Sequence, residues 1–320
     1  MVALKDGWQT IHHQPSWNKK ILKNDNSLSR EGMVIGILAY TIWGLLPLYL
    51  KQFSDVSASE ILIHRVIWAL PFGFLIIYFR RQWHEVRVAI NNKSKLAWLS
   101  LAAFAISLNW LIYLWAVNSG RIFEASLGYY INPLMYVIVG VIFLKEELRF
   151  WQIIAAILAS IGVTILSFSH GHFPWAGISL AILFTIYGVI RKQIEIGAMP
   201  GLFIEILILF PFTLAWLFFL HNSGDATFMN TGKLNDVLLI IAGPLTVIPL
   251  LFFAIAARQL SLATIGFLQF IGPTLSFLIG LYYGETLTFA YKICFILVWS
   301  AVALFIYDAM KANRPSSKVS

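Results

Sequence analysis

The sequence predicts an all-α polytopic membrane protein with ten transmembrane helices arranged as two inverted five-helix repeats. Three observations lead there: a composition too apolar for water, ten apolar segments near spanning length, and short motifs that return at an offset of about 140 residues. The chain has 320 residues, 59% hydrophobic and only 12% charged, with a mean hydropathy of +0.77. Soluble domains carry roughly 25% charged residues. A water-soluble globule is therefore excluded, and a chain of this length holds about ten spans of ~20 residues joined by short loops. The single cysteine, Cys294, rules out an intramolecular disulfide and any cysteine-based zinc or redox pair, and its apolar surroundings in the sequence read as packing. The net charge of +8 does not imply a nucleic-acid partner, because the basic residues are scattered between apolar segments and form no stripe.

Windows of about 19 residues give spans over Met33 to Leu50, Ile61 to Phe79, Leu96 to Val117, Ala125 to Leu144 and Trp151 to Phe168. The second five run over Trp175 to Ile190, Gly201 to Leu220, Val237 to Ala257, Leu262 to Tyr282 and Ala290 to Asp308. The sixth is short for a bilayer. Residues 1–32 form a polar tail of mixed charge with no apolar h-region, and so read as a soluble extension and not a signal peptide. Residues 310–320 form a second polar tail.

Cytoplasmic loops carry the excess of Lys and Arg, which sets orientation. One side collects Lys19, Lys20, Arg30, Arg80, Arg81, Arg87, Lys93, Lys95, Lys145, Arg149, Arg191, Lys192, Arg258 and Lys311, among others, and the other only Lys51, Arg121 and Lys233. Both termini are expected in the cytoplasm, which requires an even number of spans. The expected location is a cell inner membrane.

The repeat is carried by several pairs in common order. Thr41-Ile42-Trp43-Gly44 returns as Thr185-Ile186-Tyr187-Gly188, Ser126-Leu127-Gly128-Tyr129-Tyr130 is echoed by Thr264-Ile265-Gly266-Phe267-Leu268, and Ile131-Asn132-Pro133 by Ile271-Gly272-Pro273. Pro71 in the second span matches Pro211 in the seventh. The halves are then 33–168 and 169–309. Five spans per half is an odd number, so the second copy must cross the membrane in the opposite sense. Inverted halves meeting at a midplane site are a plan of secondary transporters.

Several stretches resemble a known family: Ala39 to Pro47, Glu60 to Trp68, Trp115 to Asn118, Glu124 to Leu134 and Gly266 to Leu275. Both halves are similar to EamA domains of the drug/metabolite transporter superfamily, and the likeness is greatest to its RarD branch. The resemblance implies a ten-helix inner-membrane permease of two five-helix repeats that exports small molecules. The branch name is tied to chloramphenicol sensitivity, and the physiological substrate does not carry over. The long polar tail before Gly32 departs from the family's usual short start.

Ionisable groups inside spans cost about 2.5–3.5 kcal/mol at a helix centre on insertion scales, so they usually pair or line a cavity. In the second span Glu60, His64 and Trp68 recur every four residues on one face, with Arg65 beside them. Glu60 and His64 could simply anchor the outer helix end; alternatively His64 titrates and Arg65 attracts an anionic or zwitterionic substrate. Six residues before the matched prolines stand Arg65 and Glu205, which inversion places toward opposite membrane faces. His64 and Glu205 are the candidates for carrying a proton, although Glu205 lies one turn inside Gly201 and could equally snorkel to the interface.

Asn109 and Asn118 lie about 180° apart on the third span, so at most one faces a cavity. Tyr129, Asn132 and Tyr136 share a face of the fourth, where Pro133 removes a hydrogen bond and is expected to break or kink the helix beside a midplane site. Gln269 and Pro273 occupy the related region of the ninth span, and Trp43 and Tyr187 are the repeated aromatics suited to stack flat solutes. A packing kink is the competing reading of Pro133.

Absent patterns bound the rest. The sequence has no glycine-rich Lys-Ser/Thr phosphate loop and no His-Glu-x-x-His pattern, so neither ATP hydrolysis nor metal-dependent catalysis is expected. Glu146, Glu147 and Glu285 sit at loop ends and read as capping features. The expectation is a non-enzyme without cofactor, moving a small amphipathic or aromatic solute outward across the lipid bilayer on a solute or proton gradient. The rivals are a polytopic membrane enzyme and a non-transporting receptor or scaffold. The oligomeric state is left open, a monomer included.

Overall fold

The computed structural model describes residues 29–53, 56–118, 122–143, 145–169, 175–282 and 288–312. Their regular elements are helices: α1 Arg30–Leu50, α2 Ala58–Phe79, α3 Trp83–Asn91, α4 Lys93–Asn118, α5 Ile122–Ile142, α6 Phe150–Phe168, α7 Trp175–Gln193, α8 Ala198–Ser223, α9 Lys233–Gln259, α10 Leu262–Gln269, α11 Ile271–Tyr282 and α12 Phe289–Ala312. In a bilayer core no water satisfies the backbone, so spanning segments close their own hydrogen bonds as helices. Among the described residues eight helices are long and apolar enough to cross, namely α1, α2, α4, α6, α7, α8, α9 and α12, with shorter apolar helices over Gly128–Ile142 and Leu262–Ser276. Large apolar side chains such as Phe74, Phe79, Phe168, Phe212, Phe218 and Ile296 remain exposed around the bundle, a surface suited to lipid. The chain is a multi-pass membrane protein.

Two elements differ from the sequence expectation. The segment after the second span folds into the nine-residue helix α3, which tucks Val86 and Ala89 against the bundle. The ninth span is interrupted at Phe270, between α10 and α11. Pro273 is the cause: it has no N–H to offer the carbonyl four residues earlier, and regular bonding resumes where Thr274 N–H reaches the Phe270 carbonyl at 3.2 Å. α5, by contrast, runs unbroken through Pro133. The break falls on the second copy of the motif and not on the first.

Long-range contacts assign the helix ends to two ends of the bundle. At one, Tyr49 OH donates to the Leu238 carbonyl at 2.8 Å, and the Glu60 carboxylate meets Thr227. At the other, Ser29 donates to Gln259 at 2.6 Å, Lys95 to the Glu195 carbonyl at 3.0 Å and Lys192 to the Leu260 carbonyl at 2.6 Å. These are called the Lys51 end and the Arg80 end after their nearest loops. Ser29 caps α1 by accepting from Gly32 N–H, so the first span starts at Arg30.

α6 and α12 pack on each other through small residues, with Ala155, Ala159 and Gly162 facing Cys294, Val298 and Ala301. Cys294 is buried in that contact, as its sequence context suggests. The larger core joins α1, α2, α3, α4, α5, α7, α8, α9 and α10. There α1 lies along α9 and α4 along α7, while α5 lies along α7, and α11 along α1. α2 meets both α8 and α9.

Candidate functional site

Three features of the larger core carry polar chemistry, and all involve residues singled out from the sequence. The first lies at the Lys51 end. Ser57 caps α2, and one turn later the fully buried Glu60 accepts four hydrogen bonds: from Thr227 N–H to both oxygens at 2.8 and 3.0 Å, from Thr227 Oγ1 at 2.8 Å and from Phe228 N–H at 2.9 Å. The carboxylate thus holds the segment between α8 and α9. His64, one turn further, accepts from Trp68 Nε1 at Nδ1 (3.1 Å), and its Nε2 stands 4.0 Å from Glu60. The Phe228 ring covers it at 4.6 Å. Glu60 is an anchor, and His64 is buried behind it, facing the 226–231 segment.

The second feature is Arg65. α2 and α9 approach so closely at Gly243 that any side chain there would collide with the Trp68 backbone. This contact brings Thr246, three residues beyond Gly243, against Arg65, three residues before Trp68. Arg65 Nε donates to Thr246 Oγ1 at 2.9 Å, and the guanidinium carbon lies 4.7 Å from the centre of the Trp110 ring. Tyr129, Tyr49 and Tyr113 interact with it electrostatically. Arg65 is half-buried and, among the described residues, pairs with no carboxylate.

The third feature is Glu205, at the Arg80 end. It is 2% exposed, accepting from Arg191 Nη1 at 3.2 Å and from Tyr187 OH at 3.3 Å. Tyr187 and Arg191 are one turn apart on α7 and present one face to α8. Arg191 also donates to the Ala198 carbonyl. Glu205 is therefore no snorkelling interfacial carboxylate, and Arg191, counted from sequence as a loop charge, is buried in a helix. Arg258 likewise belongs to α9 and donates to the Ile196 carbonyl.

Aromatic rings fill the space between. Trp43 lies 5.6 Å from Tyr40, 5.7 Å from Phe184 and 5.9 Å from Phe253, and Tyr187 stacks on Phe253 at 5.8 Å. A narrow void nearby is lined by Trp110 and Thr246, which hold Arg65, and by Glu205. Asn132 is buried and donates to the Ala181 carbonyl at 3.2 Å, leaving Oδ1 without a partner among the described residues. Gln269 is buried with Oε1 in the same state. Pro133 is buried where its carbonyl would lie 2.6 Å from a Cβ on Gly266, and Pro273 is half-buried. Asn109 ties α4 to α7 by donating to the Leu180 carbonyl at 2.8 Å. The side chain of Asn118 lies outside the described residues. Glu285 lies outside them too, whereas Glu146 caps α10 by accepting from Leu262 and Ala263 N–H.

Sequence reasoning missed Trp110, Thr246, Thr227 and Phe228. Only Trp110 carried a signal, since it adjoins Asn109. Among the described residues no group of three or more His, Cys, Asp or Glu is placed to hold a metal ion.

Comparison with known proteins bears on what this arrangement serves. Residues 30–168 match the profile of the EamA-like transporter family. The chain is 40% identical to an uncharacterized transporter of Vibrio cholerae over 92% of its own length and 98% of that protein's. It is also 40% identical to Protein RarD of Escherichia coli strain K12, over 92% and 100% respectively. A chain from a solved crystal structure superposes with TM-score 0.68 at 17% identity, covering 87% of this chain and 98% of that one, which places the two in one fold. A multi-pass helical bundle with charged and aromatic residues gathered in its core is what a membrane transporter of the drug/metabolite type needs, and by these relationships the chain belongs to the EamA-like transporter family, in its RarD branch.

Proposed function

We propose that the chain is a secondary transporter of ten spans in two inverted five-helix repeats, exporting a small amphipathic or aromatic metabolite or drug across the inner membrane by alternating access. The spans are α1, α2, α4, α5 and α6, then α7, α8, α9, the α10–α11 pair and α12. Helix pairing supports the repeat: exchanging the halves turns the α1–α9 contact into α7–α4 and the α5–α7 contact into α11–α1, and each of these is present.

One observation carries the transport reading, and it is where the pairing departs from that symmetry. α9 touches α7, whereas α4 makes no comparable contact with α1; α9 also packs along α2 more extensively than α4 along α8. The α7–α9 contact seals the Arg80 end through Tyr187 on Phe253 and Lys192 on Leu260. Its counterpart is missing, so we read the Lys51 end, where Tyr49, Arg65, Tyr113 and the 38% exposed Tyr129 lie, as the parted one. A bundle sealed at one end and parted at the other is one of the two states that alternating access requires. The excess of Lys and Arg at the Arg80 end makes that end cytoplasmic, with both termini on that side. The state is then outward-facing.

His64 and Glu205 are the proposed proton carriers. Glu205 would change partners when α7 moves relative to α8, and His64 lies behind the Glu60 anchor. Flux of aromatic solutes in proteoliposomes tests the reading. Solute-dependent, saturable flux supports it, and its absence with folded protein across such a panel favours a receptor or scaffold. Under an imposed pH gradient, His64→Gln and Glu205→Gln should keep downhill exchange and lose acceleration by the gradient. If both keep the wild-type response, neither residue carries the proton.

A further inference from the structure

The Lys51 end contains a charge that transport as such does not explain. Other charged side chains whose partners are described meet an opposite charge or bound amides: Glu60 meets Thr227 and Phe228, Arg191 meets Glu205 with its Nε left without a partner among the described residues, Arg149 meets Asp308 and Lys192 meets Glu146. Arg65 spends one of its five N–H donors on Thr246 and lays its flat face on Trp110. Its Nη groups have no hydrogen-bond partner among the described residues, and the side chain is half-buried. A permanent cation within the thickness of a membrane is costly without a partner. Thr246 and Trp110 fix the plane of the guanidinium, so the free fork is presented in advance and not left to rotate.

We propose that Arg65 docks the carboxylate of a flat, aromatic organic acid bearing a single negative charge, with Tyr49, Tyr113 and Tyr129 lining the place of its ring. The fork matches a carboxylate because two parallel N–H donors meet two oxygens. The charge is set by balance: one unpaired guanidinium neutralises one negative charge, and no second unpaired cation adjoins it among the described residues, as a phosphate dianion would need. The ring is set by the surroundings, since the Tyr113 and Tyr129 rings meet edge to face at 5.9 Å beside a half-buried Trp110.

This inference rests on the transport reading for its biological sense, yet it can fail separately. The test is binding of labelled benzoate, phenylacetate and indole-3-acetate to the purified full-length chain in detergent, with methyl phenylacetate and phenethylamine as the neutral and cationic comparisons. Wild type should bind the acids and prefer them to the ester and the amine. Arg65→Gln should weaken acid binding about tenfold or more, the loss expected for a charge-assisted hydrogen bond. Arg65→Lys should retain part of it, and Thr246→Val, which keeps the charge but frees Nε, should cost only a few-fold. Unliganded melting temperature and gel-filtration profile confirm that each variant is folded. No binding of any acid, equal binding of acid and ester, or acid binding unchanged in Arg65→Gln overturns the assignment. Inorganic sulfate competing as well as phenylacetate overturns the aromatic part of it. Acid binding without flux would instead overturn the transport reading and leave the anion site standing, while flux of neutral aromatics untouched by Arg65→Gln would do the reverse.

Discussion

Arg65 and Glu205 each stand six residues before a proline, Pro71 and Pro211, matching places in the proposed repeat, and their surroundings are opposites. Glu205 is sealed in a buried ion pair with Arg191, supported by Tyr187, whereas Arg65 meets a hydroxyl and an indole face and has no carboxylate among the described residues. A buried ion pair with its remaining lone pairs satisfied is a fastener. A half-buried cation without a counter-ion is an offer. In the proposed repeat, the same position would serve at one end to hold helices together and at the other to leave a charge for an arriving ligand.

The largest effect expected from this contrast is on stability. Arg191→Ala or Glu205→Ala leaves an uncompensated buried charge and should lower unfolding free energy by about 3–5 kcal/mol, whereas removing both charges with apolar residues of similar volume should be close to neutral. Denaturant titration in detergent measures it. Single and double variants of equal cost would break the fastener side of the comparison. Arg65→Gln should go the other way or do nothing, because it discards a charge that no protein group compensates. A loss as large as that at Glu205 would mean that Arg65 is structural.

A smaller effect concerns the Lys51 end. Glu60→Gln keeps the shape but weakens the charge-assisted bonds to Thr227 and Phe228, at about 1–3 kcal/mol. Hydrogen exchange at those two amides should accelerate while the amides of α6 stay unchanged, and unaltered protection would show that the segment is held by something else. The smallest is at Asn109, whose bond to the Leu180 carbonyl ties α4 to α7. Asn109→Leu should cost roughly 1 kcal/mol, since hydrogen bonds between membrane helices average ~0.6 kcal/mol and reach 1–2. A cost above that range would give Asn109 a role beyond helix pairing.

What could be read in the sequence follows from how local the signal is. The apolar windows found the eight long apolar helices and the two shorter ones because solvation by lipid acts on about 19 consecutive residues at once, and the register between Pro71 and Pro211 is what pairs Arg65 with Glu205 in the proposed repeat. α3 escaped because nine residues, with only Val86 and Ala89 turned inward, are too few for such a window. The break at Phe270 was expected at Pro133, the equivalent proline, and nothing in either motif says which helix its neighbours will hold straight. Partners were the least legible. Thr246 lies 181 residues from Arg65, and Thr227 167 from Glu60, and neither residue type is unusual in its own segment. Arg191 misled for a local reason, since a cation in a last helical turn looks the same whether it meets headgroups or a buried carboxylate.

The most direct measurement locks the sealed end. With Cys294 replaced by alanine, Glu195→Cys and Arg258→Cys place thiols where α9 meets the α7–α8 connection, both at exposed positions. A reversible bifunctional thiol reagent should couple them readily in the resting protein. Solute flux in proteoliposomes should then stop, and return when reductant cleaves the link, because the proposed alternating access requires this end to open. Cross-linked protein that carries solute at the unlinked rate would contradict the account, since the Arg80 end would then never need to part.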